Sequence, residues 1–472
     1  MRLQSLLLCF LFLATWSCQS QDNDSCEFKD KITIPYDDCG YVEVPNTWSD
    51  LSQGYTKIAY IVFKSKSENP KEDPVVFVQG GPGGNVLPSA HLYANINLDA
   101  DRDFILYDQR GIGFSNEICP GLSASFLELM ASDITLDKED EALLEASSDC
   151  IKSLKDQSFK MAFGTTESAK DLEALRKHLG YKQLNLFGGS YGTRLSMKYM
   201  ELYPNSVRTA ILSGLFPPEI RLYDKIYTNI NRSIELLFTT CKQDADCNTK
   251  YPNLKLEFEA ICKALDKQPK TFLIGETNFV INKQDFLLLL QQLLYDRQTI
   301  ANTPNFIMAF KSGNTEVLSQ SIQAFAARLS VINVATYWSV NSLDEKKFKN
   351  KSLLQKDAAQ YPLLSSGISL FGSDPDVMKH WPSNTADQTP MIALKSDIPT
   401  LLISGEWDPV TPPSNGEIVL KSLKNGSHVV FPNDGHCPIN LCFFNMAKGF
   451  LNNPLEKVDD ACAKTPNPIQ FN

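Results

Sequence analysis

Gly188-Gly189-Ser190-Tyr191-Gly192 joins a short apolar run, Leu184–Phe187, to a helix-compatible run that begins near Tyr191. In a G-x-S-x-G that turns a strand sharply into a helix, the serine sits on strained backbone and its hydroxyl projects from the sheet edge. The helix N-terminus behind it favours developing negative charge. Ser190 is therefore a candidate nucleophile. An ordinary glycine-rich turn is the alternative, and the strand before and helix after weigh against it. Such a nucleophile needs a base, and the base needs a carboxylate to orient it. The chain has five histidines. His91 follows a glycine loop, His178 ends a surface helix, His380 lies in a helical stretch and His428 begins a strand. His436 lies in the loop Asn433-Asp434-Gly435-His436, just past the last strand, where an imidazole can swing over the sheet edge. For the acid, Asp408 follows the strand Ile398–Ser404 among prolines that hold it rigidly. Glu406, two residues earlier, is its rival.

A second glycine-rich segment, Gly80-Gly81-Pro82-Gly83-Gly84, ends the continuous apolar run Pro74–Gln79. It lets backbone approach a ligand closely and leaves N–H groups free to point at one. A phosphate cradle is excluded, because no Lys-Ser/Thr follows and the G-x-G-x-x-G spacing is absent. The remaining chemical reading is a loop that supplies an N–H group to an oxyanion, as in acyl transfer.

These loops need a scaffold. Thr33–Val44 and Tyr55–Lys64 alternate and predict antiparallel opening strands. Pro74–Gln79, Asp103–Tyr107, Leu184–Phe187 and Val207–Leu212 predict buried strands, with an amphipathic helix over Glu167–Leu179 stopped by Gly180. Asp108 and Arg110, in Asp108–Ser115, are read as braces for neighbouring loops. From about Phe216 the pattern becomes helix after helix: Leu222–Cys241, Leu254–Leu265, Lys283–Tyr295 and Val317–Ala327. Strands resume at Ile398–Ser404 and His428–Phe431. The expected fold is α/β, a mostly parallel sheet with helices on both faces and a large inserted helical cap. The expected limits are 31–215 and 391–472 for the core and 216–390 for an all-α cap.

The 472 residues exceed the size at which one hydrophobic core stops growing, which agrees with two units. A net charge of −10, spread along the chain, argues against a nucleic-acid partner. At the start, Met1-Arg2 and the apolar Leu6–Leu13 read as a signal peptide over 1–17, too short to span a bilayer. Cys18 and a polar tether, 18–30, resemble a lipoprotein signal, with a lipid on Cys18 as the membrane attachment. A conventional signal peptide is the alternative. Export to a periplasm or cell surface is expected, and sequons at Asn23, Asn231, Asn350 and Asn425 leave a eukaryotic secreted protein open. Without Cys9 and Cys18 ten cysteines remain, an even number. Near neighbours suggest Cys26–Cys39, Cys119–Cys150, Cys241–Cys247 and Cys442–Cys462, with Cys262 and Cys437 either paired or free. They are too scattered for a zinc site.

The order Ser190…Asp408…His436 is that of the α/β-hydrolases. With GGPGG (Gly80–Gly84), DQRGIGFS (Asp108–Ser115), GGSYGTR (Gly188–Arg194), SGEWDPVTPP (Ser404–Pro413), DGH (Asp434–His436) and FTTCKQDADC (Phe238–Cys247), the chain resembles the proline-iminopeptidase-like serine peptidases. The likeness is greatest to their tripeptidyl-aminopeptidase branch and spans roughly Cys39 to Cys462. The resemblance implies an exopeptidase acting at free N-termini, with Ser190 as nucleophile, His436 as base and Asp408 as its orienter. It also implies an oxyanion hole from the backbone N–H groups of Gly81 and Tyr191. Gln79 departs from it, where the iminopeptidases carry His, as do Ser342 and Met378, where relatives often carry cysteines; the last two suggest a missing cap disulfide.

An aminopeptidase must bind an ammonium group, and cap carboxylates are natural partners for one. Asp344 or Glu345, after the aromatic Tyr337-Trp338, are the candidates, against a solvated pairing with Lys346-Lys347. The sequence thus predicts an exported serine exopeptidase that takes a peptide substrate. It implies no metal or cofactor and no obligate protein partner. An esterase with the same triad is the principal alternative.

Overall fold

The computed structural model describes residues 26–156, 161–221, 223–345, 352–365, 367–369, 374–382, 392–465 and 467–472. The predicted signal peptide, Cys18, most of the tether, and the sequons at Asn23 and Asn350 lie outside the described residues. Among the described residues no helix is long and apolar enough to cross a membrane.

The core is an eight-stranded sheet. Its strands are β1 (Asp38–Pro45), β2 (Tyr55–Phe63), β3 (Lys71–Val78), β4 (Arg102–Tyr107), β5 (Leu184–Gly189) and β6 (Val207–Ser213). Two more strands, Thr400–Gly405 and Gly426–Phe431, follow the cap. The spatial order is β1-β2-β4-β3-β5-β6, then these two. β1–β2 and β2–β4 pair antiparallel, and every other neighbour pair is parallel. The central strands are apolar along their length because both sheet faces are covered. One face packs under the helices Thr165–His178 and Tyr191–Leu202, the other under Leu441–Asn452. β5 sits at the centre, so the G-x-S-x-G opens at the middle of the sheet's carboxyl edge.

The cap departs from the expected all-α insertion. It contains a two-stranded hairpin, β7 (Lys270–Ile274) and β8 (Thr277–Ile281), turning at Gly275 with φ +62°. The two post-cap core strands are therefore β9 (Thr400–Gly405) and β10 (Gly426–Phe431). The hairpin escapes the sequence reading because its apolar runs are only three residues long and just Phe272 and Ile281 are buried. The limits differ as well. Helices Leu122–Ala131, Leu136–Ala146 and Ser148–Asp156 precede β5 in the chain. Leu122, Phe126, Met130, Leu143 and Leu154 nevertheless join the hydrophobic cluster of the cap. Ile469, near the carboxyl end, joins the same cluster.

Four disulfides form as expected: Cys26–Cys39, Cys119–Cys150, Cys241–Cys247 and Cys442–Cys462. Cys262 and Cys437 are free. The bridges fit an oxidising compartment, extracellular or periplasmic. Ser342 and Met378 are fully buried, and their two helices meet instead through Trp338 and Trp381, with ring centroids 5.1 Å apart.

Candidate active site

Ser190 joins β5 to the helix Tyr191–Leu202 with φ 55° and ψ −125°, a backbone conformation that costs a non-glycine residue about 1–3 kcal/mol. Surrounding bonds hold it there. Its N–H donates to Ser213 O at 2.8 Å, and its carbonyl accepts from Thr193 N at 2.9 Å and Thr193 Oγ1 at 2.7 Å. A Cβ on Gly192 would lie 1.9 Å from Val78 O, so only glycine lets the helix leave this close to β3. Among the described residues the Ser190 hydroxyl has no hydrogen-bond partner, and it faces a cavity of about 670 Å³.

The glycine loop after β3 lies against this turn. A Cβ on Gly80 would stand 2.8 Å from Ser190 Cβ and 3.2 Å from Tyr191 N. The loop is tied down from several sides. Gly80 N donates to Gln79 Oε1 at 2.8 Å, Gln109 Nε2 donates to Gln79 O at 2.8 Å, and Asn333 N of the cap donates to Gly83 O at 2.8 Å. The buried Asp108 carboxylate accepts from Val86 N at 2.7 Å, Leu87 N at 3.0 Å and Phe114 N at 2.8 Å. Arg110 grips Asp171 through two bonds and also donates to Asn46 O and Ala162 O. Both residues act as braces. The backbone N–H groups of Gly81 and Tyr191 are left without a partner among the described residues.

His436 and Asp408 meet across the carboxyl ends of β9 and β10. His436 Nδ1 lies 2.7 Å from Asp408 Oδ2. The carboxylate is fully buried and also accepts from Val410 N and Thr411 N, each at 2.8 Å, and from Thr411 Oγ1 at 2.5 Å. Burial pushes this carboxyl up, but the imidazole and the Thr411 bonds outweigh it and hold it below its ordinary range. Burial likewise pushes His436 toward its neutral form. The Asp408 charge, with Cys437 beside it, prevails and raises the imidazole well above its usual value. Glu406, the rival acid, turns away and accepts from Asn433 N at 2.9 Å. Ser190, His436, Gly81 and Tyr191 all line the one cavity, whose wall is largely apolar.

Asp344 and Glu345 are not part of that wall. Glu345 is fully buried on Arg194, Nη1 to Oε1 at 2.6 Å, an ion pair between cap and core. Asp344 bonds the Thr165 hydroxyl and backbone N–H. The sequence reading fails here because both side chains turn inward from the last turn of Val334–Asp344, with the buried Arg194 as the stronger partner. Asp224 is the carboxylate that lines the cavity among the described residues. Partial burial and nearby Glu345 push it up.

Several neighbours of the site have roles that the sequence does not mark. Arg232 reaches from the cap helix Ile226–Gln243 to Glu406 O and Asp408 O, each at 2.6 Å, and clamps the acid loop. Tyr295 accepts from His436 N at 2.6 Å and sets its ring edge-on to the imidazole at 5.0 Å. Cys437 Sγ donates to Ser213 O at 3.2 Å. Only the last was visible beforehand, as an unassigned cysteine next to His436.

Residues 73–248 match the α/β hydrolase fold family and residues 372–462 match the family of TAP-like proteins. A protein of Escherichia coli (strain K12), named putative hydrolase YuaR, is 22% identical over 496 residues, with 96% of each chain covered. Tripeptidyl aminopeptidase of Streptomyces lividans is 28% identical over 215 residues, 42% of this chain and 38% of the relative. Proline iminopeptidase of Arabidopsis thaliana is 28% identical over 170 residues, 35% of this chain and 33% of the relative. With a mostly parallel eight-stranded sheet, a strained serine turn at its centre and these two matched segments, the chain has the α/β-hydrolase fold and carries a TAP-like segment over residues 372–462.

Proposed function

We propose that this chain is an exported serine aminopeptidase that releases N-terminal residues or short peptides through an acyl-enzyme. The observation that carries the reading is convergence on one cavity. A hydroxyl without a partner, an imidazole bonded at 2.7 Å to a buried carboxylate, and two uncommitted backbone N–H groups all face it. In the first step His436 takes the Ser190 proton as Oγ attacks the scissile carbonyl carbon. Charge collects on the carbonyl oxygen, where the N–H groups of Gly81 and Tyr191 stabilise it. The C–N bond then breaks, and the imidazolium returns the proton to the leaving amine. Water, deprotonated by His436, frees the acyl group by the same path. Asp408 keeps the imidazole oriented and stabilises its charged form.

Recognition of the substrate ammonium passes in this reading from Asp344 or Glu345 to Asp224. A lipid on Cys18 is its membrane anchor, and peptides are its only required partner.

The test is a panel of fluorogenic mono-, di- and tripeptide amides, with free and acetylated N-termini, run beside p-nitrophenyl esters. Free-amine peptides should turn over, and Ser190→Ala should lower kcat by about 10⁴-fold or more. Asp224→Asn should raise KM about tenfold for free amines and leave acetylated substrates unaffected. Equal cleavage of acetylated peptides would remove the exopeptidase claim. Ester turnover without amide turnover would favour the esterase, which the apolar cavity wall also suits.

A further inference from the structure

The cavity holds a guanidinium that the reaction above does not use. Arg328, near the end of the cap helix Thr315–Ser330, lines the wall and is half-buried. Its Nη1 donates to Gln292 O at 3.1 Å and Gln292 Oε1 at 2.9 Å, and its plane lies 4.5 Å from the Tyr295 ring centroid. Among the described residues no carboxylate lies within ion-pair distance of it, and Asp296, whose charge reaches it, is engaged as a helix cap on Gln298 N. The other cavity cations, Arg221 and Lys225, stand beside Asp224 instead. Burial costs Arg328 hydration and pulls its affinity for the proton down, yet a guanidinium keeps its charge. A partly desolvated cation with no carboxylate in contact, facing a cavity, is a receptor for an anion.

Its position says which half of the substrate would carry that anion. Tyr295, under the guanidinium, sets its ring against His436 at 5.0 Å. His436 is the group that hands a proton to the leaving amine, so Arg328 stands on the leaving-group side. The path from imidazole to guanidinium runs through ring contacts of 5.0 and 4.5 Å, a span that a few extended residues cover at about 3.5 Å each.

We propose that Arg328 binds a carboxylate on the leaving half of the substrate, which makes short peptides with a free C-terminus the preferred substrates. This rests on reading Ser190 and His436 as a hydrolytic site, and the planar guanidinium would take the carboxylate through two parallel bonds.

The experiment compares one tripeptide as free acid and as C-terminal amide, by kcat/KM, in wild type, Arg328→Met and Arg328→Lys. A second pair, 4-acetoxybenzoate and 4-acetoxybenzamide, places the same charge difference on an ester's leaving group. Wild type should favour the acid by about tenfold to a hundredfold. Arg328→Met should bring the acid-to-amide ratio to about one, and Arg328→Lys should restore part of it. A wild-type ratio near one, or a ratio that survives Arg328→Met, overturns the proposal whatever the overall activity of the variants. If the peptides are inert while the benzoate ester shows a preference that depends on Arg328, the peptidase reading fails and the anion receptor stands. If peptides turn over with no acid preference, the receptor fails and the peptidase reading stands.

Discussion

At the carboxyl edge of the sheet, the candidate acid has every lone pair in use. Four donors converge on the two oxygens of Asp408, and Ser190 is held on strained backbone by Ser213 and Thr193. The cap wall across the cavity is different. It is built from apolar side chains such as Leu288, Phe325 and Trp338, and its charged groups are Asp224, with Arg221 and Lys225 beside it, and Arg328, which no carboxylate contacts among the described residues. The contrast separates two tasks. Bond-making needs geometry held to a fraction of an ångström, which short-range backbone bonds supply. Selectivity needs uncommitted charge, which only a substrate completes.

Asp408→Asn breaks the committed side of this contrast and carries the largest expected effect. The imidazole loses the partner that fixes its tautomer, and kcat should fall about 10³–10⁴-fold. The pH profile gives a second reading. His436 must be neutral to accept the Ser190 proton, so the rate rises as pH climbs through its pKa. Asp408 raises that pKa, so the wild-type acid limb should lie above 6.5, and the substitution should move it downward. A kcat loss under tenfold, with the limb unmoved, would show that Asp408 does not orient the base.

Next in size is the joint between the two regions. Arg194 and Glu345 are both fully buried, and Arg194 also donates to Pro217 O and lies 3.5 Å from the Phe216 ring centroid. Glu345→Ala leaves this guanidinium without its counterion and should cost about 3–5 kcal/mol in denaturant unfolding. The pair Arg194→Met with Glu345→Leu should recover most of that loss, since the charge to be desolvated is gone. If the single substitution costs as little as a surface pair, the clasp does not join cap to core.

The same division explains what the sequence could tell. The β5 turn, the glycine loop, Asp408 and His436 each sit at a strand end, where a local pattern of glycine, proline and apolar runs marks the backbone. Their positions follow from chain order once the strands are known. The cap offers no such punctuation. Whether Glu345 or Asp224 reaches the cavity depends on which turn of which helix faces Arg194, a long-range packing outcome without a short-range signature. Chain order places residues 122–156 with the core, yet their apolar stripes pack into the cap. The β7–β8 hairpin was missed because its strands bury little.

A last test asks whether a second buried carboxylate of the cap, besides Glu345, is committed. Asp285, at the start of the helix Lys283–Leu293, is buried, with its oxygens on Asn282 N at 3.2 Å and Ser369 Oγ at 2.5 Å. Burial first, then Glu139 and Asp133 nearby, push this carboxyl from an ordinary 3.8 to about 8. The folded state therefore keeps its proton while the unfolded chain releases it. Stability is intact below pH 3.8 and drains away as pH rises from there to about 8, by at most about 1.4 kcal/mol per pH unit. Asn mimics the neutral acid, its oxygen accepting from Asn282 N and its amide donating to Ser369. Asp285→Asn should thus flatten the fall in unfolding free energy between pH 5 and 8, with little change at pH 4. A variant whose stability falls with pH as steeply as wild type would place the proton elsewhere and leave Asp285 ionised in the cap.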